Sequence, residues 1–83
     1  MSPDEIKALR VRLGLTQKNL ALALGVNKLT LSQYETGFRK PGPTALVVLF
    51  VLDRLPKKKA LELVALLQGA AKSAGLERES SDS

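Results

Sequence analysis

The 83-residue chain has no cysteine, no histidine and no tryptophan. Without cysteine there is no disulfide framework and no thiolate metal site. Without histidine, the usual general base near neutral pH and the commonest zinc ligand are gone. No metal-ligand set and no cofactor motif is read. The acidic residues are few and scattered, no nucleophile stands beside a positioned base, and no phosphate-cradling glycine motif occurs. An enzyme is therefore the poorest of the function classes. One tyrosine and two phenylalanines are too few for a base-stacking platform on single-stranded nucleic acid. The longest apolar run, ALVVLFVL at 45–52, has eight residues, against about 20 for a membrane span. No signal-peptide pattern is read, so a soluble cytoplasmic protein is expected.

Positive charge is present and unevenly spread. Residues 1–40 carry seven Lys and Arg against three carboxylates, a net of +4 out of +5 for the whole chain. That distribution suits a polyanion such as duplex DNA, although many small basic proteins bind none. A chain of this length forms one domain and is marginal alone, burying about 60% of its unfolded surface. Dimerisation is a common remedy.

The punctuation is helical. Ser2, Pro3 and Glu5 form a capping box with proline at the first helical position. Ile6, Leu9 and Leu13 follow as one apolar stripe, and Gly14 ends it. Thr16 caps a second helix, whose cap is weaker because Asn19 stands where Glu or Gln would complete the box. Asn27 caps a third helix and Gly37 ends it. Pro43 starts a fourth, apolar nearly all round, which Pro56 breaks, and KKKALELVALLQGAAKSAG reads as a fifth. The spacing predicts helices over about 3–13, 17–24, 28–36, 43–55 and 57–74 in a domain of residues 1–76. The polar end, 77–83, is expected to be disordered. No segment reads as a partnered strand, so the fold class is all-α.

The short turn Gly25-Val26-Asn27 joins the second and third helices. Such a glycine-containing turn lets two helices cross steeply, which is helix-turn-helix geometry. Ala21 is small enough to allow close approach, and Leu20, Leu24, Val26 and Leu31 supply the shared core. Within LRVRLGLTQKNLALALGVNKLTLSQYETGFRKP, the set Leu9-Arg10, Gly14, Thr16-Gln17, Leu20-Ala21, Leu24-Gly25-Val26, Leu31-Ser32, Glu35, Gly37 and Pro41 resembles the phage-repressor and Cro-like (XRE) helix-turn-helix family. The resemblance covers roughly residues 5–55. It implies a five-helix bundle of the phage-repressor DNA-binding-domain type, with the third helix in the major groove of double-stranded DNA.

The resemblance also distributes roles. Lys28, Leu29, Ser32 and Gln33 are the expected base-reading residues. Lys28 suits guanine O6 or N7, Gln33 suits adenine, and Leu29 suits a thymine methyl. The competing readings are a solvated or phosphate-facing Lys28 and Ser32, and a core Leu29. Thr16, Gln17, Arg39 and Lys40 are expected on phosphates, the alternative being ordinary solvent-exposed positions. Arg10 and Glu35 are expected to pair and tie the first helix to the third, unless Arg10 instead meets phosphate. Tyr34 reads as packing.

The second half reads as an interface. Val47, Val48, Phe50, Val51 and Leu52 on the fourth helix, with Leu61, Leu66 and Leu76 on the fifth, exceed what a small bundle needs. A two-fold homodimer through these helices is expected; the alternative is that the two helices bury each other within one chain. Leu22 and Ala23 are apolar where the family is often polar, which marks a small partner surface or nothing. Lys57, Lys58 and Lys59 oppose the dipole of the fifth helix and suit DNA backbone, an acidic partner or plain solvent. The expected function is a homodimeric repressor on a palindromic operator. The alternative is an antitoxin that binds a toxin and represses its own promoter, since GFRKPGPTALVVLFVLDRLP is similar to the loop and fourth helix of some antitoxins with this fold.

Overall fold

Each helix begins at a residue that settles its orphan N–H groups or cannot continue the chain before it. In the computed structural model, which describes residues 1–75, Ser2 Oγ accepts from Glu5 N–H at 3.2 Å, and Ser2 N–H donates to Glu5 Oε1 at 3.0 Å. These bonds to Ser2, backbone first, hold the Glu5 carboxyl below the ordinary carboxylate range. They launch α1 (Pro3–Arg12). Thr16 Oγ1 accepts from Asn19 N–H at 3.1 Å to start α2 (Gln17–Leu24), and Asn27 Oδ1 accepts from Thr30 N–H at 2.7 Å to start α3 (Lys28–Thr36). Prolines stand at the starts of α4 (Pro43–Arg54) and α5 (Lys57–Ser73), neither of which has a side-chain cap. The described residues contain these five helices and no strand, an all-α architecture.

Three helices stop one residue earlier than their sequence patterns suggest. Leu13, Leu55 and Ala74 are C-caps outside the helices. At Leu55 the reason is steric: the residue before a proline is pushed out of the helical region, and its ψ is 147°. The tail expected to be disordered, 77–83, lies outside the described residues.

The core gathers one stripe from every helix. Ile6, Leu9, Leu13, Leu20, Leu31, Leu49 and Leu52 are the largest fully buried side chains, and Ala60 and Val64 join them from α5. The alternative in which α4 and α5 bury each other does not describe the packing. The fifth helix lies chiefly on α2 and only lightly on α4. Ala23 is therefore core and Leu22 half-buried, so no partner surface is formed by this pair. Gln68 Nε2 donates to the Asn19 carbonyl at 2.9 Å, which ties the C-terminal half of α5 to the first turn of α2. α1 and α4 are joined at the surface by Arg12 Nη2 and Asp53 Oδ1 at 3.2 Å. An exposed pair of this kind contributes at most about 1 kcal/mol.

Among the described residues no buried side-chain polar atom lacks a hydrogen-bond partner, so caps and ion pairs hold the polar part of the fold. The α3 cap is a sensitive point, because α3 is short and carries no acidic residue in its first turn. Asn27→Ala is expected to cost about 0.5–2 kcal/mol. Thermal unfolding followed by circular dichroism should show a melting temperature lower by about 4–8 °C per kcal/mol.

Candidate nucleic-acid interface

The elbow between α2 and α3 depends on backbone handedness. Gly25 sits at φ 73°, ψ 27°, the left-handed region in which a side chain is costly. It lets the chain reverse while Val26 N–H donates back to the Ala21 carbonyl at 3.0 Å. Ala21 and Leu31 are buried at the crossing, and Val26 is half-buried beside it. With Leu31 and Tyr34 facing inward, the opposite side of α3 is turned out.

That outer side carries the candidate readout residues at graded exposure. Lys28 is exposed, and Leu29 is 67% exposed. This removes the reading of Leu29 as core: a leucine displayed at the start of a polar helix has no packing role within the chain. Ser32 and Gln33 are half-buried one turn on. An α-helix places residues three and four apart on one face, so Lys28 and Leu29 share a side with Ser32 and Gln33. The set offers one cation, one methyl-bearing side chain, one hydroxyl and one carboxamide.

Behind this helix lies an ion-pair network. Arg10 Nε donates to Glu35 Oε2 at 2.7 Å and Arg10 Nη2 to Glu35 Oε1 at 3.1 Å, the two-pronged geometry that a guanidinium favours. Arg10 Nη1 also donates to the Leu15 carbonyl at 3.0 Å. The Glu35 side chain is 4% exposed and that of Arg10 15%. The fork thus clamps α1 to the end of α3, and with its guanidinium so occupied Arg10 is an inner residue.

Gln17 belongs to the same network, a link that sequence spacing gave no sign of. Its Nε2 donates to Glu35 Oε1 at 3.3 Å. The half-buried Gln17 therefore stands at the first position of α2 with its carboxamide held from behind. Its second amide hydrogen is still available, as is the hydroxyl proton of the exposed Thr16, whose oxygen is already used in the cap. The neighbouring backbone N–H groups carry the positive end of the helix dipole.

After α3, Gly37 turns the chain at φ 83° into an exposed loop. Arg39 N–H donates to the Gln33 carbonyl at 3.2 Å, so the loop is fastened to α3. The Arg39 and Lys40 side chains are exposed. Phe38, 80% exposed beside them, drew no notice in the sequence because a single loop phenylalanine has no periodic signal. Lys57, Lys58 and Lys59 are exposed at the other end of α5 from Gln68, roughly 15 Å along the helix. They are thus set apart from the start of α2.

The residues expected at a dimer interface divide. Val47, Phe50 and Val51 on α4 and Leu66 on α5 are exposed, at 63%, 42%, 41% and 72%. Val48 and Leu61 are instead half-buried against the core. Part of each of these two side chains is thus already used in packing within the single chain. Leu52 is fully buried in the core, and Leu76 lies outside the described residues.

A solvent-facing polar helix on a glycine elbow, clamped from behind and flanked by a capped helix start, defines a helix-turn-helix protein of the DNA-binding regulator class. The sequence pattern of the helix-turn-helix family matches residues 6–50, more than half of the chain, and the chain belongs to that family, in its phage-repressor/Cro-like (XRE) type. No curated protein and no solved structure matches it. Among the described residues no helix is long and apolar enough to cross a membrane, and no group of three or more His, Cys, Asp or Glu is placed to hold a metal ion.

Proposed function

We propose that the protein is a sequence-specific, double-stranded-DNA-binding transcriptional repressor that acts as a homodimer on a palindromic operator. The observation that carries this reading is the outward display of Lys28 and Leu29, with Ser32 and Gln33 one turn on, by a helix whose Leu31 and Tyr34 are locked in the core. In the major groove Gln33 pairs its carboxamide with adenine, Lys28 donates to guanine, and Leu29 lies against a thymine methyl. Thr16 and Gln17 at the start of α2 and Arg39 and Lys40 after α3 grip the phosphates on either side. Two copies joined through Val47, Phe50, Val51 and Leu66 would place two such helices on half-sites about 34–36 Å apart. Repression follows from occupying the site that polymerase needs.

Selection of binding sites from random duplexes, repeated over a salt series, tests this reading. Gln33→Ala is expected to relax preference at one base pair per half-site, a loss of about 1–3 kcal/mol of discrimination. Arg39→Ala is expected to weaken all sites about equally and to flatten the salt slope by about one unit. An unchanged base preference in the Gln33 variant would remove Gln33 from the readout.

The exposed apolar residues of α4 and α5 also favour a second reading, an antitoxin whose face is covered by a toxin. A toxin that co-purifies in defined stoichiometry, and is released from inhibition by Val47→Glu, would select that reading over the homodimeric repressor.

A further inference from the structure

A cavity of about 340 Å³ lies between the start of α1, the end of α3 and the start of α4. Its inner wall is apolar, formed by the buried Ile6 and Tyr34 with the half-buried Leu46. Its outer wall is cationic: the exposed Arg39 and Lys40 line it beside Pro41. The volume is at the lower end of the range for small-molecule sites, about 300–1,000 Å³, and an apolar body with a few convergent polar groups is the usual composition of such sites. Two cations at the rim, with no carboxylate among the lining residues, set the charge of the ligand. An anionic head is attracted to these two cations, and an apolar body suits the inner wall, so one amphipathic ligand matches both.

We propose that this cavity binds a small amphipathic carboxylate, with its hydrocarbon against Ile6, Tyr34 and Leu46 and its carboxylate on Arg39 and Lys40. The site is coupled to the interface by construction. Arg39 and Lys40 are the residues that grip phosphate in the reading above, and the Arg39 N–H is bonded to the carbonyl of Gln33. A carboxylate on these side chains takes the cations that DNA phosphates require, so the two ligands compete. Linkage then requires each to lower the affinity of the other by the same factor. This regulatory step rests on the DNA-binding reading; occupation of the cavity does not.

Titration of the DNA-free protein with octanoate, followed by amide chemical shifts, tests the site. Saturable shifts at Ile6, Tyr34, Gly37, Arg39 and Leu46 are expected, and octanamide at equal concentration should give none. Loss of one cation, in Arg39→Ala or Lys40→Ala, is expected to weaken octanoate by about tenfold. Leu46→Trp fills the cavity and is expected to abolish octanoate binding. Pro3→Glu, an exposed change at the first helical position, adds a repelling charge near the rim and serves if the tryptophan variant fails to fold. Shifts spread over the surface, no saturation at millimolar octanoate, or equal binding of octanamide would overturn the proposal. A second arm adds octanoate to a protein–operator complex. Octanoate that binds the cavity yet leaves operator affinity unchanged would overturn the coupling. Octanoate binding by a protein that recognises no duplex at all would uphold the site and remove the repressor reading.

Discussion

Arg10→Met is expected to lower stability by about 3–5 kcal/mol, which in a domain of this size lowers the melting temperature by more than about 12 °C. The size of the effect comes from what is left behind. Glu35 is nearly covered, its side chain 4% exposed, and its two oxygens are held by Arg10 Nε and Nη2 and by the Gln17 carboxamide. Removing the guanidinium leaves a covered carboxylate with one neutral donor. Glu35→Gln, which keeps the shape and discards the charge, should cost less. The double variant Arg10→Met/Glu35→Leu should recover most of the loss, because desolvation offsets much of the attraction within such a pair and its apolar replacement is often neutral. The measurement is thermal and urea unfolding of all four proteins without DNA. An Arg10→Met protein melting within about 2 °C of the parent would show that the fork does not hold α1 to α3.

Gln17 makes the network matter beyond stability. It spans the carboxylate behind it and the start of α2 in front. Disturbing Glu35 therefore frees a side chain that the proposed phosphate grip uses, even in a variant that stays folded. On the proposed phosphate grip, stability and binding would be linked through this one hydrogen bond rather than through the whole core.

What could be read from the chain follows the range of each interaction. Caps act over three residues, so Ser2 with Glu5, Thr16 and Asn27 announce their helices directly. Gly25 and Gly37 announce left-handed turns in the same way. The all-α class and the family follow from such marks taken with the spacing of Leu20, Ala21, Leu24 and Leu31. Apart from helix ends such as Leu55, which the next residue decides, the misread or unseen features depend mostly on contacts between distant segments. Nothing local in α5 says that it should cover α2 rather than α4, yet that choice buries Ala23 and leaves Val47 and Val51 in solvent. Val48 looks interchangeable with its exposed neighbours, because the apolar α4 has no polar stripe to fix which side turns inward. Gln17 and Glu35 are eighteen residues apart, and the cavity beneath Arg39 and Lys40 is assembled from three separate segments. Leu29 is the reverse case: its chemistry left a core reading open, and its 67% exposure, on a helix that buries Leu31 and Tyr34, closes it.

Substituting Val47 and Val51 by glutamate is expected to lower affinity for a full palindromic site by on the order of 10²–10⁴-fold while leaving a single half-site unaffected. Val47, Phe50 and Val51 stand three and four residues apart on one face of α4, all exposed in the single chain. If two copies bury this stripe against each other, the second half-site is bound at high effective concentration, and that gain disappears when the copies part. Four glutamates brought together across a two-fold axis would part them, since an isologous contact repeats each charge on both sides. Because these positions are exposed, the folded monomer should lose little, within about 0.5 kcal/mol per exposed substitution. Sedimentation of parent and variant at micromolar concentration, beside binding to full and half sites, supplies the comparison. A parent that sediments as a monomer and still prefers the full site would assign the pairing to the DNA itself. A variant that stays dimeric would assign it to another surface.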